Sequence, residues 1–434
     1  MVMNEGDRKI SDWGIILNKG YENSQRLSWI TEAEGATVKD YSGKSYIDTV
    51  LGCGTAILGH SPSVVIEAVS EQVKKGTNYG LPSIQAERYA VDLKKAMPWN
   101  DHFVFCNSGS EATMRAIRIA RAFTGKSRIG IFSGGWHGSH DMVLMEETPG
   151  SEEANPRAQL LSSGTPGYLK EDVVYLPYNH SNAFSLIKKH AADLAMVLIE
   201  PVQGSNPRDD IGAFLMELRK VTRDTGVLLG FDEVITGARL GLGGGQEYFD
   251  VYGDLTMYGK VFGGGMPVGV IGGGADIMRT LLGRGVEGDL PPLFMGGTFS
   301  GNPLTMAAGW AAFSYLQEQG EAVYGKLRRQ GSYLRTSINQ FCRERGIKAH
   351  MMGVESISRI IFSDKAVNSR HQRSKLEWNY GEQSAFFDYV KERGVLVGSN
   401  RILFLALPHT DDQINTVIKV LSNALETFQG RGVL

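Results

Sequence analysis

Five short apolar runs punctuate the chain, with enough sequence between them for a helix: Phe103–Cys106, Arg128–Phe132, Leu194–Ile199, Val227–Phe231 and Leu255–Tyr258. Apolar residues at consecutive rather than alternate positions read as strands buried on both faces. Between the first two, Glu111–Phe123 repeats apolar residues at Ala112, Ala116, Ile119, Ala120 and Phe123. That spacing makes one face of a helix, with Arg115, Arg118 and Arg121 turned to the other side. Ile211–Thr222 and Val64–Lys74 also read as helices, the latter opened by Ser61-Pro62 as cap and first-turn proline. Such alternation predicts an α/β fold with a mostly parallel sheet covered on both faces.

From about Tyr315 the pattern changes to a helix (Glu321–Cys342), short strands (Ser356–Phe362, Val395–Val397, Ile402–Leu407) and a last helix (Asp411–Phe428). These predict a smaller α+β domain. The expected division is 1–60 as an N-terminal segment serving the small domain and the active site, 61–315 as the large domain and 316–434 as the small one. Met145–Asp172, polar and rich in Gly, Pro, Ser and Glu, is too long for a passive connection and is expected to be a mobile lid. Asp364–Gln383 carries Lys365, Arg370, Arg373 and Lys375 with no aromatic residues interleaved beyond Trp378 and Tyr380. A solvated loop is the expectation there, rather than a nucleic-acid patch.

Charge narrows the partners. Lys+Arg (45) and Asp+Glu (47) nearly cancel, so nothing points to nucleic acid or an anionic membrane. No apolar run approaches the roughly 18 residues of a membrane span. The opening stretch mixes Glu5, Asp7, Arg8, Lys9 and Asp12, unlike a secretory or transit signal, and a cytoplasmic location is the expectation. Three scattered cysteines, Cys53, Cys106 and Cys342, suit neither a disulfide framework nor a metal site. The 54 glycines, well above the roughly 7% average, cluster after apolar runs, where backbone must come close to something.

The unusual polar residues fall at the ends of the predicted strands: Asn107-Ser108-Gly109-Ser110, Gly134-Gly135-Trp136-His137-Gly138, Glu200-Pro201 and Asp232-Glu233. Open α/β sheets bind ligands beyond their carboxyl ends, so these segments are expected to converge on one site. Ser108-Gly109-Ser110, between a strand and a helix, suits either an anion site or a plain N-cap. No Gly-x-x-x-x-Gly-Lys-Ser/Thr occurs, which excludes a nucleotide P-loop. Trp136 could stack on a planar ring or simply fill a core. Asp232 is costly to bury unless it meets a cation. Lys260 lies 28 positions after Asp232, in Tyr258-Gly259-Lys260-Val261-Phe262-Gly263-Gly264-Gly265. Alone it reads as a solvated loop lysine. Together with Asp232 it suits pyridoxal 5′-phosphate (PLP), the lysine making a Schiff base with the cofactor aldehyde and the aspartate keeping the pyridine nitrogen protonated. Val234 could then lie against one face of the ring. A desolvated, neutral Lys260 amine would move the proton from the substrate carbon.

With these residues in view, the chain resembles the class III (ω-type) PLP-dependent aminotransferases, in particular the subgroup similar to glutamate-1-semialdehyde aminomutases. The matching words run from about Gly35 to Leu304. They include Asn107-Ser108-Gly109-Ser110-Glu111-Ala112, Trp136-His137-Gly138, Glu200-Pro201-Val202-Gln203-Gly204, Phe231-Asp232-Glu233-Val234, Gly259-Lys260-Val261-Phe262-Gly263 and Gly297-Thr298-Phe299-Ser300-Gly301-Asn302-Pro303. The resemblance implies a PLP fold-type I enzyme, with a mostly parallel sheet of seven-stranded type and a smaller α+β C-terminal domain. It implies an internal aldimine at Lys260, Asp232 on the pyridine nitrogen, and Ser108, Gly109 and Ser110 at the phosphate. Trp136 and Val234 would lie on the two ring faces, with His137, Glu200 and Ser205 near the cofactor. Thr298 would reach the cofactor phosphate of a neighbouring subunit, implying a homodimer.

The resemblance also implies the reaction: amino transfer from a donor, glutamate being the first to test, to an oxo acceptor by way of pyridoxamine phosphate. Alternatives are intramolecular transfer of the aminomutase kind, a PLP-dependent racemase or epimerase, and a catalytically silent protein of the same fold. Two departures concern the substrate. In the aminomutases the segment after the Asn-Ser near position 23 is longer and carries a carboxylate-binding arginine, and a glutamate lies on the C-terminal loop where this chain runs Ser399-Asn400-Arg401-Ile402. Arg26 and Arg401 are the candidates here for gripping a substrate carboxylate.

Overall fold

In the computed structural model, residues 29–282, 293–377 and 380–430 are described. A seven-stranded sheet lies at the centre. Its strands are, in chain order, β1 (His102–Cys106), β2 (Arg128–Phe132), β3 (Val173–Leu176), β4 (Leu194–Ile199), β5 (Leu228–Asp232), β6 (Leu255–Gly259) and β7 (Gly269–Gly273). Their spatial order is β1-β7-β6-β5-β4-β2-β3, and β7 alone runs antiparallel, to both β6 and β1. All six residues of β4 are buried, as expected for a central parallel strand with both faces covered. Each large side chain buried there contributes about 1.5–3 kcal/mol.

Two strands escape the hydrophobic pattern. β3 is only four residues long and follows a polar stretch. β7 reads Gly-Val-Ile-Gly-Gly, and glycine within a strand weakens it. The glycine is needed, however: a Cβ on Gly269 would lie 2.1 Å from the Ser108 carbonyl oxygen. β7 thus allows the Ser108 turn to close over it.

Helix Gly109–Thr124 crosses the sheet with Ala112, Ala116, Ile119 and Ala120 inward, as the spacing predicts. Two of its residues depart from the expectation. Phe123 is exposed, and Arg115 is buried, paired with Glu111 at 3.1 Å and donating to the Gly296 carbonyl at 3.1 Å. Arg115 is sequestered because it holds the 296–300 turn that carries Thr298.

The lid expectation for Met145–Asp172 also needs revision. The segment forms a two-stranded hairpin (Met145–Glu147 with Ala158–Leu160) and a 3₁₀ helix (Gly167–Asp172), anchored by buried Met145 and Leu169. The solvated loop expected at Asp364–Gln383 is wrong in part. It contains helix Arg370–Leu376 and the start of Tyr380–Glu392, and Arg373 is buried beside Glu377 at 3.1 Å. A charge run looks solvated until an acid four residues on gives it an ion pair.

C-terminal to the large sheet lie helix Glu321–Arg345, an antiparallel sheet of His350–Val354, Ile357–Ile361 and Ile402–Phe404, and helix Asp411–Gly430. Val395–Leu396 pairs in parallel with Ser45–Asp48, joining the N-terminal strands to the C-terminal elements. One hydrophobic cluster runs from Tyr89 and Phe262 through Leu334 to Leu403 and Leu425. Among the described residues no helix is long and apolar enough to cross a membrane.

Candidate active site

The strand ends converge as the sequence predicts. A cleft of about 420 Å³ beyond the carboxyl ends of β1, β2, β4 and β5 is lined by Ser108, Gly109, Ser110, Trp136, His137, Glu200, Asp232, Val234 and Lys260.

One end of the cleft is built by the start of helix Gly109–Thr124. Ser108 is its N-cap, accepting from Glu111 N–H at 3.1 Å, while the Glu111 carboxylate reaches back to Asn107 N–H at 3.1 Å. The cap leaves the first N–H groups of the helix without an intrahelical acceptor. The Ser110 hydroxyl lies among them, accepting from Ser139 N–H at 3.0 Å. Gly138 permits this approach: its φ is +104°, and a Cβ there would lie 2.6 Å from Ser110 Oγ. N–H groups, a hydroxyl and the positive end of a helix dipole together favour an anion.

Asp232 ends β5 almost entirely buried. Its Oδ1 accepts from Val234 N–H at 3.0 Å and its Oδ2 meets His137 Nδ1 at 2.8 Å. With Oδ2 as the acceptor, that hydrogen sits on Nδ1, and among the described residues His137 Nε2 is buried without a hydrogen-bond partner. Glu200, also buried, accepts from Trp136 N–H at 3.0 Å and Gly204 N–H at 3.3 Å. Burial pushes its carboxyl up to about 7, with Asp232 adding to the effect and His137 opposing it. Three acidic or basic groups thus share one dry wall, and Glu200 uses its oxygens to fix the backbone of Trp136. The indole itself remains 55% exposed.

Lys260 follows β6 directly, with φ at +49° where a non-glycine residue is strained by about 1–3 kcal/mol. Its amine has no hydrogen-bond partner among the described residues, and burial pushes it below its usual value, opposed by Asp232, Cys53 and Glu200. A strained lysine with a weakened proton affinity suits chemistry better than solvation.

Other expected residues lie elsewhere. Ser205 is outside the cleft lining and donates its hydroxyl to the Gly134 carbonyl at 2.7 Å. Thr298 is exposed, its carbonyl accepting from Asn78 at 3.2 Å. Arg401 is also outside the cleft and donates to the Gln383 side chain. Arg26 lies outside the described residues.

Sequence reasoning missed Thr55, which also lines the cleft. It follows Leu51, Gly52 and Cys53, all with positive φ, a turn pinned by Asp48 Oδ1 on the Val50 and Leu51 N–H groups at 2.7 and 3.1 Å. The glycine-flanked Cys53 after a strand was the available signal. Arg115 gave none, since helical spacing places it outward.

The donor set fits PLP: an anion-binding helix start, a buried carboxylate for a protonated ring nitrogen, an aromatic side chain, and an amine of lowered proton affinity. The profile of the class-III aminotransferase family matches residues 18–425. A glutamate-1-semialdehyde 2,1-aminomutase from Methanosarcina acetivorans is 35% identical over 395 residues, covering 90% of each chain. An omega-transaminase from Sphaerobacter thermophilus is 30% identical with a TM-score of 0.85, covering 96% of this chain and 94% of that one. A transaminase solved with PLP bound is 26% identical with a TM-score of 0.83, covering 96% and 95%.

Proposed function

Since this chain belongs to the class-III aminotransferases and uses PLP, we propose that it moves an amino group to an oxo carbon with Lys260 as the proton-transferring base. The observation that carries this reading is the pairing, in one cleft, of the strained Lys260, whose amine has no hydrogen-bond partner among the described residues, with the buried Asp232 carboxylate.

The N–H groups of Gly109 and Ser110 and the Ser110 hydroxyl would hold the phosphate, and Thr298 would serve the partner's site in a homodimer. Trp136 and Val234 would bound the ring, and Asp232 would face its nitrogen. The bound cofactor supplies an aldehyde that takes up amines and a ring that stabilises the electron pair left when a substrate C–H bond breaks. Lys260 Nζ, neutral when its proton affinity is lowered, accepts the proton from that carbon and returns it elsewhere. His137 Nδ1, 2.8 Å from Oδ2, keeps the Asp232 carboxylate oriented toward the ring nitrogen.

Two versions of the transfer follow. In one, the amine passes between molecules, an amino acid such as glutamate giving it and an oxo compound receiving it. The similarity to the omega-transaminase and the lack of a glutamate between Arg401 and Ile402 support this version. In the other, the amine moves within one molecule. The relative named glutamate-1-semialdehyde 2,1-aminomutase supports it, and at higher identity. Incubating PLP-loaded protein with glutamate-1-semialdehyde alone, and separately with glutamate plus oxo acceptors, decides between them. Formation of 5-amino-4-oxopentanoate from the single substrate establishes the internal shift. Amine and oxo products that appear only with both partners establish the intermolecular one. If neither forms, amino transfer is wrong.

A further inference from the structure

Behind the cleft wall, helix Gly109–Thr124 meets the segment that carries Trp136 and His137, and one hydroxyl joins the two. Thr113, a turn into the helix and fully buried, has its Oγ1 2.6 Å from the His137 carbonyl oxygen. The Ser110 and Gly109 carbonyls lie 3.1 and 3.2 Å from the same oxygen, and His140 Nε2 lies 3.1 Å from it. A threonine hydroxyl has one hydrogen to give. Carbonyls in the first turn of a helix already take the N–H groups four residues on. The His137 carbonyl, by contrast, receives no other hydrogen bond among the described residues. The shortest contact and the unmet acceptor coincide, so the hydrogen goes to His137.

That choice fixes the histidine behind it. The lone pairs of Thr113 Oγ1 then face His140 Nε2, which therefore carries its ring's hydrogen. Burial pushes His140 down to about 4, with His137 adding to the effect and Asp141 opposing it, so the ring is neutral and holds a single N–H. The outcome is a directed chain: His140 Nε2–H donates to Thr113 Oγ1, and Thr113 Oγ1–H donates to the His137 carbonyl. The ring of His137 continues it, with Nδ1 2.8 Å from Asp232 Oδ2. Neither Thr113 nor His140 lines the cleft.

We propose that Thr113, supported by His140, is a positioning residue, holding His137 so that the Asp232 carboxylate stays aimed at the PLP ring nitrogen. The proposal rests on the placement of the cofactor given above and extends it to two residues outside the cleft. Removing the hydroxyl leaves the His137 carbonyl buried and unpaired, so His137 turns to find another donor and Asp232 loses its orientation.

The test titrates cofactor-free protein with PLP in wild type, Thr113→Val, Thr113→Ser and His140→Leu, and repeats Thr113→Val in an Asp232→Asn background. Urea unfolding of each protein separates lost stability from lost affinity. Thr113→Val should weaken PLP roughly tenfold, and Thr113→Ser, which keeps the hydroxyl, should restore the affinity. His140→Leu should show a smaller loss, because the Thr113 hydrogen stays on the His137 carbonyl. In the Asp232→Asn background Thr113→Val should cost little more, since the charge it positions is gone. A loss of the same size in both backgrounds would run through the Ser139 N–H contact to Ser110 instead, and would refute the coupling. Wild-type affinity in Thr113→Val, or no rescue by Thr113→Ser, would refute it as well. A second readout needs no cofactor: nitrogen chemical shifts of isotopically labelled histidine should show His140 protonated at Nε2, and a bare Nε2 there would overturn the direction of the chain. A protein that shows this coupling yet transfers no amine keeps the positioning role and loses the amino-transfer reading.

Discussion

Gly138→Ala separates the anion cup from the rest of the cleft. The substitution strains a residue at φ +104° and places a methyl 2.6 Å from Ser110 Oγ and 2.7 Å from Ser110 Cα. The backbone strain costs about 1–3 kcal/mol of stability. If Ser110 holds the phosphate as proposed, displacing its hydroxyl removes a hydrogen bond to a charged group, about 1.5–3 kcal/mol, so the PLP dissociation constant should rise roughly 10- to 150-fold. Gly125→Ala is the control. Gly125 caps the other end of the same helix at φ +69° with nothing within 4 Å of an added Cβ. It carries backbone strain without a clash. Titrating cofactor-free proteins with PLP and unfolding them in urea should therefore show both variants destabilised and only Gly138→Ala weakened toward PLP. Equal PLP affinity in the two variants would refute the placement of the phosphate at Ser110.

Other expectations follow from buried charge and from assembly. Burial pushes Glu233 up to about 7, despite hydrogen bonds from Gly245 and Gln246 N–H at 2.9 and 2.8 Å. A carboxyl with a raised folded pKa loses stability as pH climbs from its unfolded value, about 4.5, to about 7. His140 and His409, both pushed down to about 4 by burial, act in the opposite direction, so the wild-type curve mixes the effects. Comparing urea midpoints of Glu233→Gln and wild type isolates the glutamate: the variant should gain about 3 kcal/mol relative to wild type across that window. In cofactor-free protein, Lys260 should be acylated by amine-directed reagents at pH 8 ahead of surface lysines, as peptide mapping would show, because burial favours its neutral form. Lys260→Ala and Thr298→Arg chains, each inactive alone, should regain activity when mixed as subunits, since one of the two sites would then have an intact lysine and an intact Thr298. Failure of mixed subunits that do associate would remove Thr298 from the neighbouring site.

The sequence conveys the site better than the frame around it. Strand ends are legible because consecutive apolar residues stop abruptly at Asn107, Glu200 and Asp232, and a carboxyl at a buried strand end is costly without a partner. β7 was hidden because its glycines answer to neighbours distant in sequence, Gly269 to the Ser108 carbonyl, Gly272 to the Asn100 side chain and Gly273 to Leu255. Arg115 and Arg373 read as facing outward for a similar reason: besides the acids four positions off, Glu111 and Glu377, they bond the Gly296 and Ser205 carbonyls, 181 and 168 positions away. The left-handed run Leu51-Gly52-Cys53 depends on Asp48, and no periodicity announces such a turn. Local pattern reports burial, and it does not report which distant group makes a buried charge tolerable.

The central claim is that Lys260 mediates amine exchange on PLP. Its most direct test is the visible absorption of PLP-loaded wild type and Lys260→Ala while amino donors, glutamate first and glutamate-1-semialdehyde among them, are added without acceptor. The prediction is that at least one donor shifts the wild-type band and releases its product, while Lys260→Ala releases none. Release at the wild-type rate from Lys260→Ala, or a wild-type band unmoved by every donor, would contradict the account.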